Sequence, residues 1–250
     1  MQIQLAAVSI ERLRPLFRGF PGLHGIVDAA LEGAMGVVRT DDPDRPRIAH
    51  IDLDFDLLTG DSTAPEAEEV VRNLSPPFSL VVSSGAWEPL LHRVWGEALQ
   101  TQTRVAFQPG DWNGARLRNL QSVPKGFSLR RIPAEDAGRF SEFADSLVYN
   151  FATLEDYAER GVGFGIEHDG RYVSGCSSFA LSSHSLEFEI QTHEDFRRRG
   201  LASACAAAMI DYCLNHGLRP CWDAHNDMSA ALATKLGFAN PVAYTAYEVG

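Results

Sequence analysis

The run Phe196-Arg197-Arg198-Arg199-Gly200-Leu201-Ala202 constrains the fold more than any other stretch of this chain. Residues 186–193 before it alternate like a strand, and residues 203–216 after it are an Ala-rich helical stretch. A strand that passes through a basic glycine turn into a helix belongs to a layered α/β structure. The same turn is a ready seat for a pyrophosphate. The first amides of a helix have no internal partner, and the helix dipole favours negative charge beside them. Gly200 lets the backbone bend toward a ligand and Ala202 keeps the next turn thin. Arg197, Arg198 and Arg199 add cationic donors at the rim. Spacing alone also suits a plain basic loop ahead of a surface helix.

The residues that follow favour the anion site. The chain continues through the apolar strand Pro220-Cys221-Trp222-Asp223-Ala224, then Asn226 and Ser229, to a helix ending Lys235-Leu236-Gly237-Phe238. That order resembles the GNAT superfamily of acetyl-CoA-dependent N-acetyltransferases. The separated segments 164–166, 177–178, 187–193, 200–202, 222–226 and 244–247 are similar to the branch that contains the zwittermicin A resistance acetyltransferase. The likeness covers at least residues 129–250. It implies that the coenzyme A pyrophosphate rests on Arg197-x-x-Gly200-x-Ala202, with Arg198, Arg199, Leu201 and Ser203 completing the cradle. It also implies pantetheine contacts at Asn226 and Ser229 and backbone contacts at Ile190 and Thr192.

Length and charge narrow the setting. A chain of 250 residues suits two small domains or one large one. No stretch approaches the ~20 continuous apolar residues of a membrane span. The start, Met1-Gln2-Ile3-Gln4-Leu5-Ala6-Ala7-Val8, has no basic lead and soon meets Glu11 and Arg12, which is no signal-peptide pattern. A net charge of −11 argues against general affinity for nucleic acid or anionic membrane, and tolerates a cationic amine. The four cysteines, Cys176, Cys205, Cys213 and Cys221, have no Cys-x-x-Cys spacing, and three lie in apolar runs. Buried free thiols in a reducing cytoplasm are therefore expected, rather than a metal site or disulfide framework.

The organisation reads as two halves with a seam near residues 121–126: an N-terminal α/β domain, 1–122, and an acetyltransferase-like domain, 127–250. In the second half, 127–132 alternates like a strand, Pro133-Ala134-Glu135-Asp136 opens a helix, and Thr153 caps another with Asp156 three residues on. Strands at 162–167 and 172–181 are joined by His168-Asp169-Gly170-Arg171, whose Asp-Gly is a hairpin signal. A strand at 186–192, the basic turn, a helix, a strand, a helix and a final strand at 243–249 complete a mixed α/β sheet.

The first half repeats this order weakly. Helices are expected at 11–17 and 25–32, strands at 35–39 and 47–58, a helix at 65–74, a strand at 78–82, a helix at 86–98 and a strand at 103–107. No Arg-x-x-Gly-x-Gly/Ala turn lies between Leu58 and Glu66. This half reads either as a degenerate copy that binds no coenzyme or as an unrelated α+β extension. Asp52, Asp54 and Asp56 alternate along the expected strand as an acidic strip. No His or Cys joins them in the pattern of an ion site.

Acetyl transfer to an alkyl amine needs a group to take the ammonium proton, since that proton is held at neutral pH. Glu187 and Glu189 share one face of the strand before the turn, opposite Phe188, Ile190 and Thr192. The resemblance implies Glu187 as the base, and an amide around Ile190 to Thr192 as donor to the oxyanion. His193 and His225 stand at strand ends as proton relays or structural histidines. Ala233 occupies the position where many relatives carry the Tyr that protonates the thiolate. Tyr244 and Tyr247 are alternatives on the last strand, and the acid stays open.

The function implied is transfer of the acetyl group of acetyl-CoA to a primary amine of a small molecule by direct attack. No metal, nucleic acid or membrane is implied, and a homodimer is one arrangement the family allows. Two other classes remain: a silent acyl-CoA-binding sensor and a tandem-domain interaction protein.

Overall fold

The Ala-rich stretch after the basic turn forms α8, Leu201–Asn215, a helix buried nearly all round in a second-half core. Small side chains let it lie close against the sheet. The computed structural model describes residues 10–250; the stretch Met1 to Val8, discussed above as lacking a signal-peptide pattern, lies outside them.

The first half runs α1 (Ile10–Leu13), α2 (His24–Leu31), β1 (Val37–Thr40), β2 (Ile48–Asp52), β3 (Asp56–Gly60), α3 (Ala67–Arg72), β4 (Phe78–Val82), α4 (Glu88–Trp95), β5 (Gln100–Gln108) and α5 (Gly114–Leu120). The second half runs β6 (Ser128–Arg131), α6 (Ala137–Phe143), α7 (Leu154–Arg160), β7 (Gly163–His168), β8 (Arg171–Leu181), β9 (Ser185–Thr192), α8, β10 (Arg219–Ala224), α9 (Asp227–Leu236) and β11 (Ala239–Val249). The mixed α/β class expected from the sequence is present.

The eleven strands of the described residues join one sheet in the order β1-β2-β3-β4-β11-β5-β10-β9-β8-β7-β6. Its pairing reads nearly alike outward from the centre. β11 and β5 pair antiparallel in the middle. Beyond β11 lie antiparallel β4, then β3 parallel to β4, then antiparallel β2 and β1. Beyond β5 lie antiparallel β10, then β9 parallel to β10, then antiparallel β8, β7 and β6. The last strand of each half has crossed over, so that β5 lies beside β10 and β11 beside β4.

Three cores cover the sheet. One packs α8 and α9 on the second half. Another gathers residues of α3, α4 and the first-half strands. The third contains residues from α1, α2, α6 and α7. Helix α2 lies against β8, β9 and β10, so a first-half element roofs the second half's sheet.

Local signals explain several boundaries. Thr153 Oγ1 accepts from the Asp156 amide at 3.1 Å and starts α7. Asp169 and Gly170 both take positive φ, 49° and 75°, in the tight β7–β8 turn. Three expectations need correction. The single strand at 47–58 is two, β2 and β3, separated at Leu53-Asp54-Phe55, so its aspartates do not form one strip. Asp52 binds Arg39, Asp54 accepts from the Tyr149 hydroxyl, and Asp56 meets His50 Nε2 at 3.1 Å. The helix expected at 11–17 gives way after Leu13 to a tighter 3-10 turn over Arg14–Gly19, which carries Pro15 in its first turn. Helix α5 was not anticipated; the Asn113 side chain caps it by accepting from Ala115 N at 2.8 Å.

Candidate active site

The basic turn stands where β9 ends, beside a split in the sheet. β10 pairs with β9 only through Arg219, Pro220 and Cys221, opposite Ser185, Leu186 and Glu187. From Trp222 onward it follows β5 instead, with Trp222, Asp223 and Ala224 opposite Phe107, Ala106 and Val105. β9 stays with β8 as far as Thr192. A gap therefore opens toward the carboxyl ends of β9 and β10. Arg219 N donates to His184 O at 2.8 Å on the β10 side, whereas His193 N donates to Val173 O on the β8 side. Because bonded residues alternate along a strand, the amides of Ile190 and Thr192 face the gap.

The turn 197–200 closes the mouth of this gap. Arg198 and Gly200 both take left-handed backbone, with φ of 63° and 81°. Gly200 caps α8 with no side chain bonded to the helix, so the first α8 amides stay open to a ligand. Nothing lies within 4 Å of where a Gly200 Cβ would stand; the space outside the turn is free. Unbonded amides at the positive end of the helix dipole favour an anion here.

The arginines partly serve the turn itself. Arg197 Nε donates to Thr192 O at 3.3 Å, and an Arg199 guanidinium nitrogen donates to Asp195 O at 3.1 Å. Arg197, Arg198 and Arg199 are all exposed. The Leu201 side chain is in the core, so only its backbone faces outward. Ala202 is half-buried, and Ser203 accepts from Lys235 Nζ at 2.9 Å. Lys235 thus brings a cation to the α8 N-terminus. Sequence reading passed over it, for its place at the end of α9 hides that proximity.

Asn226 and Ser229 follow the end of β10. Asn226 Oδ1 accepts from Ser229 N at 3.0 Å and caps α9; Ser229 Oγ accepts from Trp222 Nε1 at 3.1 Å. Both side chains therefore have structural partners at the gap. His193 accepts from Asp195 N at 3.4 Å, and the exposed His225 ring lies 2.9 Å from Arg104.

Glu187 and Glu189 do share a face, but at different depths. Glu187 is 3% exposed. Its Oε1 accepts from Asp223 N at 2.9 Å, and its Oε2 has no hydrogen-bond partner among the described residues. Burial, then the nearby Asp223 charge, pushes its carboxyl well above the usual carboxylate range. Glu189 is half-buried, and burial pushes its pKa up to about 7. Gln191 donates to it at 3.4 Å.

Further along this face, Asp223 gathers Arg104 and Tyr244. Arg104 Nε donates to Asp223 Oδ2 at 2.6 Å, and Tyr244 Oη donates to Oδ1 at 2.5 Å. Burial and the Asp223 carboxylate push the Tyr244 hydroxyl far above its ordinary range. Tyr247 lies in the first-half core. Ala233 is fully buried. All four cysteines are free and buried. No helix of the described residues is long and apolar enough to cross a membrane.

Comparison with known proteins gives a consistent picture. Residues 14–247 match a family model described as GNAT acetyltransferase. The chain is 31% identical over 242 residues to the uncharacterized N-acetyltransferase YdfB of Bacillus subtilis (strain 168), covering 91% of this chain and 90% of that protein. A GCN5-related N-acetyltransferase-like protein from Streptococcus suis 89/1591 superposes with a TM-score of 0.85 at 34% identity, over 96% of this chain and 98% of that one. A tandem GNAT protein from the clavulanic acid biosynthesis pathway shares the fold, with a TM-score of 0.55 at 13% identity over 100% of this chain and 97% of that one.

Proposed function

The chain belongs to the GNAT acetyltransferase family, and from that premise we propose that it transfers the acetyl group of acetyl-CoA to a primary amine of a small molecule by direct attack. The observation that carries this reading is the gap between β9 and β10 ending on the uncapped, left-handed Gly200 turn. The pyrophosphate rests on the amides of Leu201, Ala202 and Ser203, with Lys235 and the exposed arginines as cations nearby. The pantetheine arm lies along the free edge of β9 at Thr192, near Asn226 and Ser229. The Ile190 amide faces the thioester oxygen and stabilises its developing charge.

The amine enters from the face that bears Glu189. Once its ammonium proton has been taken, its nitrogen lone pair attacks the thioester carbon. The carbon–sulfur bond breaks with the electron pair leaving on sulfur, and the second nitrogen proton goes to the departed thiolate. The ammonium proton passes to Glu189. Glu189 is preferred to the expected Glu187 because it is half-buried and near neutral in pKa, whereas Glu187 has almost no exposed surface. Asp54 adds a second negative charge near Glu189. Ala233 stands at the position of the usual tyrosine, and a thiolate leaves unassisted at tolerable cost.

Within the family, we place the chain in the branch resembling the zwittermicin A resistance acetyltransferase, on the motif segments of residues 164–247. The first half, 1–122, is read as a degenerate copy; the near-symmetric pairing of the sheet supports this. Buried free thiols suit a reducing cytoplasm. The test is release of free thiol from acetyl-CoA against a panel of small amines. Amine-dependent release supports the reading, and acetyl-CoA binding without release to any amine supports the sensor.

A further inference from the structure

The geometry points to Glu187 as the wedge that ends the β9–β10 ladder and so opens the cleft, a positioning residue rather than a catalytic one. This rests on the acetyltransferase reading of that cleft. In a parallel pair, bonded residues alternate along each strand. With Arg219 bonded to His184 O, the bonded residues of β10 are 219, 221 and 223. The next acceptor in register for Asp223 N is the Phe188 carbonyl. Asp223 N instead donates to Glu187 Oε1 at 2.9 Å. One side chain thus takes up the β10 amide that would otherwise continue the ladder.

The surroundings are shaped to hold that side chain. Helix α2 passes over it at Gly25, where a Cβ would stand 2.9 Å from Oε2 and 3.0 Å from the Glu187 Cβ. Only glycine leaves room for the carboxyl. On the far side, Arg104 draws Asp223 toward β5, so β10 is pulled away from β9 just where Glu187 breaks the ladder. A buried carboxyl is costly, and here it is retained beside an opening that a continuous ladder would close.

The test compares Glu187→Gln with Glu187→Leu. The carboxamide keeps an oxygen acceptor for Asp223 N; leucine keeps the bulk and removes the acceptor. Crystal structures of the wild type and both variants, acetyl-CoA titration calorimetry, and the pH profile of turnover are recorded. The expected results for Glu187→Gln are an unchanged ladder, acetyl-CoA affinity within about twofold, and an unchanged pH profile. Glu187→Leu is expected to extend the ladder by the Asp223–Phe188 bond and to weaken acetyl-CoA binding about tenfold. An unchanged ladder in Glu187→Leu, or an extended one with unchanged affinity, overturns the proposal. So does Glu187→Gln that binds acetyl-CoA yet loses turnover, since Glu187 would then be the base. If Glu187→Leu does not fold, Glu187→Gln decides by its pH profile and affinity. Failure of the wild type to bind acetyl-CoA would sink the acetyltransferase reading instead, and the ladder alone would then decide the wedge.

Discussion

Arg104 of the first half and Asp223 of the second are bonded across the middle of the sheet, through two guanidinium nitrogens on one carboxylate oxygen. Their side chains are 15% and 7% exposed. Burial works against the Arg104 charge, but Asp223 and Tyr244 outweigh it, and its pKa is raised. Removing the guanidinium would leave Asp223 buried without its cation. Arg104→Ala is expected to lower stability by about 3 kcal/mol in urea unfolding. Asp223→Ala made on top of it should cost less than Asp223→Ala alone. Additive losses would show that the pair is not coupled.

Gly25 should tolerate no side chain. A methyl group would press on the Glu187 carboxyl and, at 3.3 Å, on the Cys221 Cβ. Gly25→Ala is expected to destabilise by about 1–3 kcal/mol, although alanine is the better helix former. A variant as stable as the wild type would mean that α2 does not sit this close to β9.

Turnover should rise with pH. Glu189 has a pKa pushed up to about 7, chiefly by burial. Below that pH the carboxyl holds its proton and accepts none from the ammonium; above it the carboxylate is free to act. kcat/KM should therefore climb with a midpoint near that value. Glu189→Gln should lower kcat about a hundredfold and remove that limb. A Glu189→Gln profile identical to wild type would exclude this carboxylate as the proton acceptor.

Much of this was legible in local sequence because the causes are local. Thr153 with Asp156, Asp169-Gly170 and the strand-turn-helix around Gly200 each act within a few residues, and each lies where expected. The shared face of Glu187 and Glu189 followed from strand alternation. Their depths did not follow, because the roof over Glu187 is α2, more than 150 residues earlier. The turn at Leu53-Asp54-Phe55 was missed because alternating residues run through it, and only pairing of β2 with β3 distinguishes a hairpin from a long strand. The crossing of β5 and β11 is likewise a matter of partner choice, which periodicity does not encode. Helix α5 carried a readable signal, since Asn113 is a good cap, but Asn113-Gly114 also reads as a turn.

The most direct test of the whole account is calorimetric titration of acetyl-CoA into the wild type and Gly200→Asp. The aspartate adds a side chain and a negative charge where the pyrophosphate must lie, at a backbone φ of 81° that disfavours any side chain. The account predicts saturable binding to the wild type and none to Gly200→Asp, with both proteins folded by circular dichroism. Equal affinity in the two would contradict it, because the turn at Gly200 would then not hold the coenzyme.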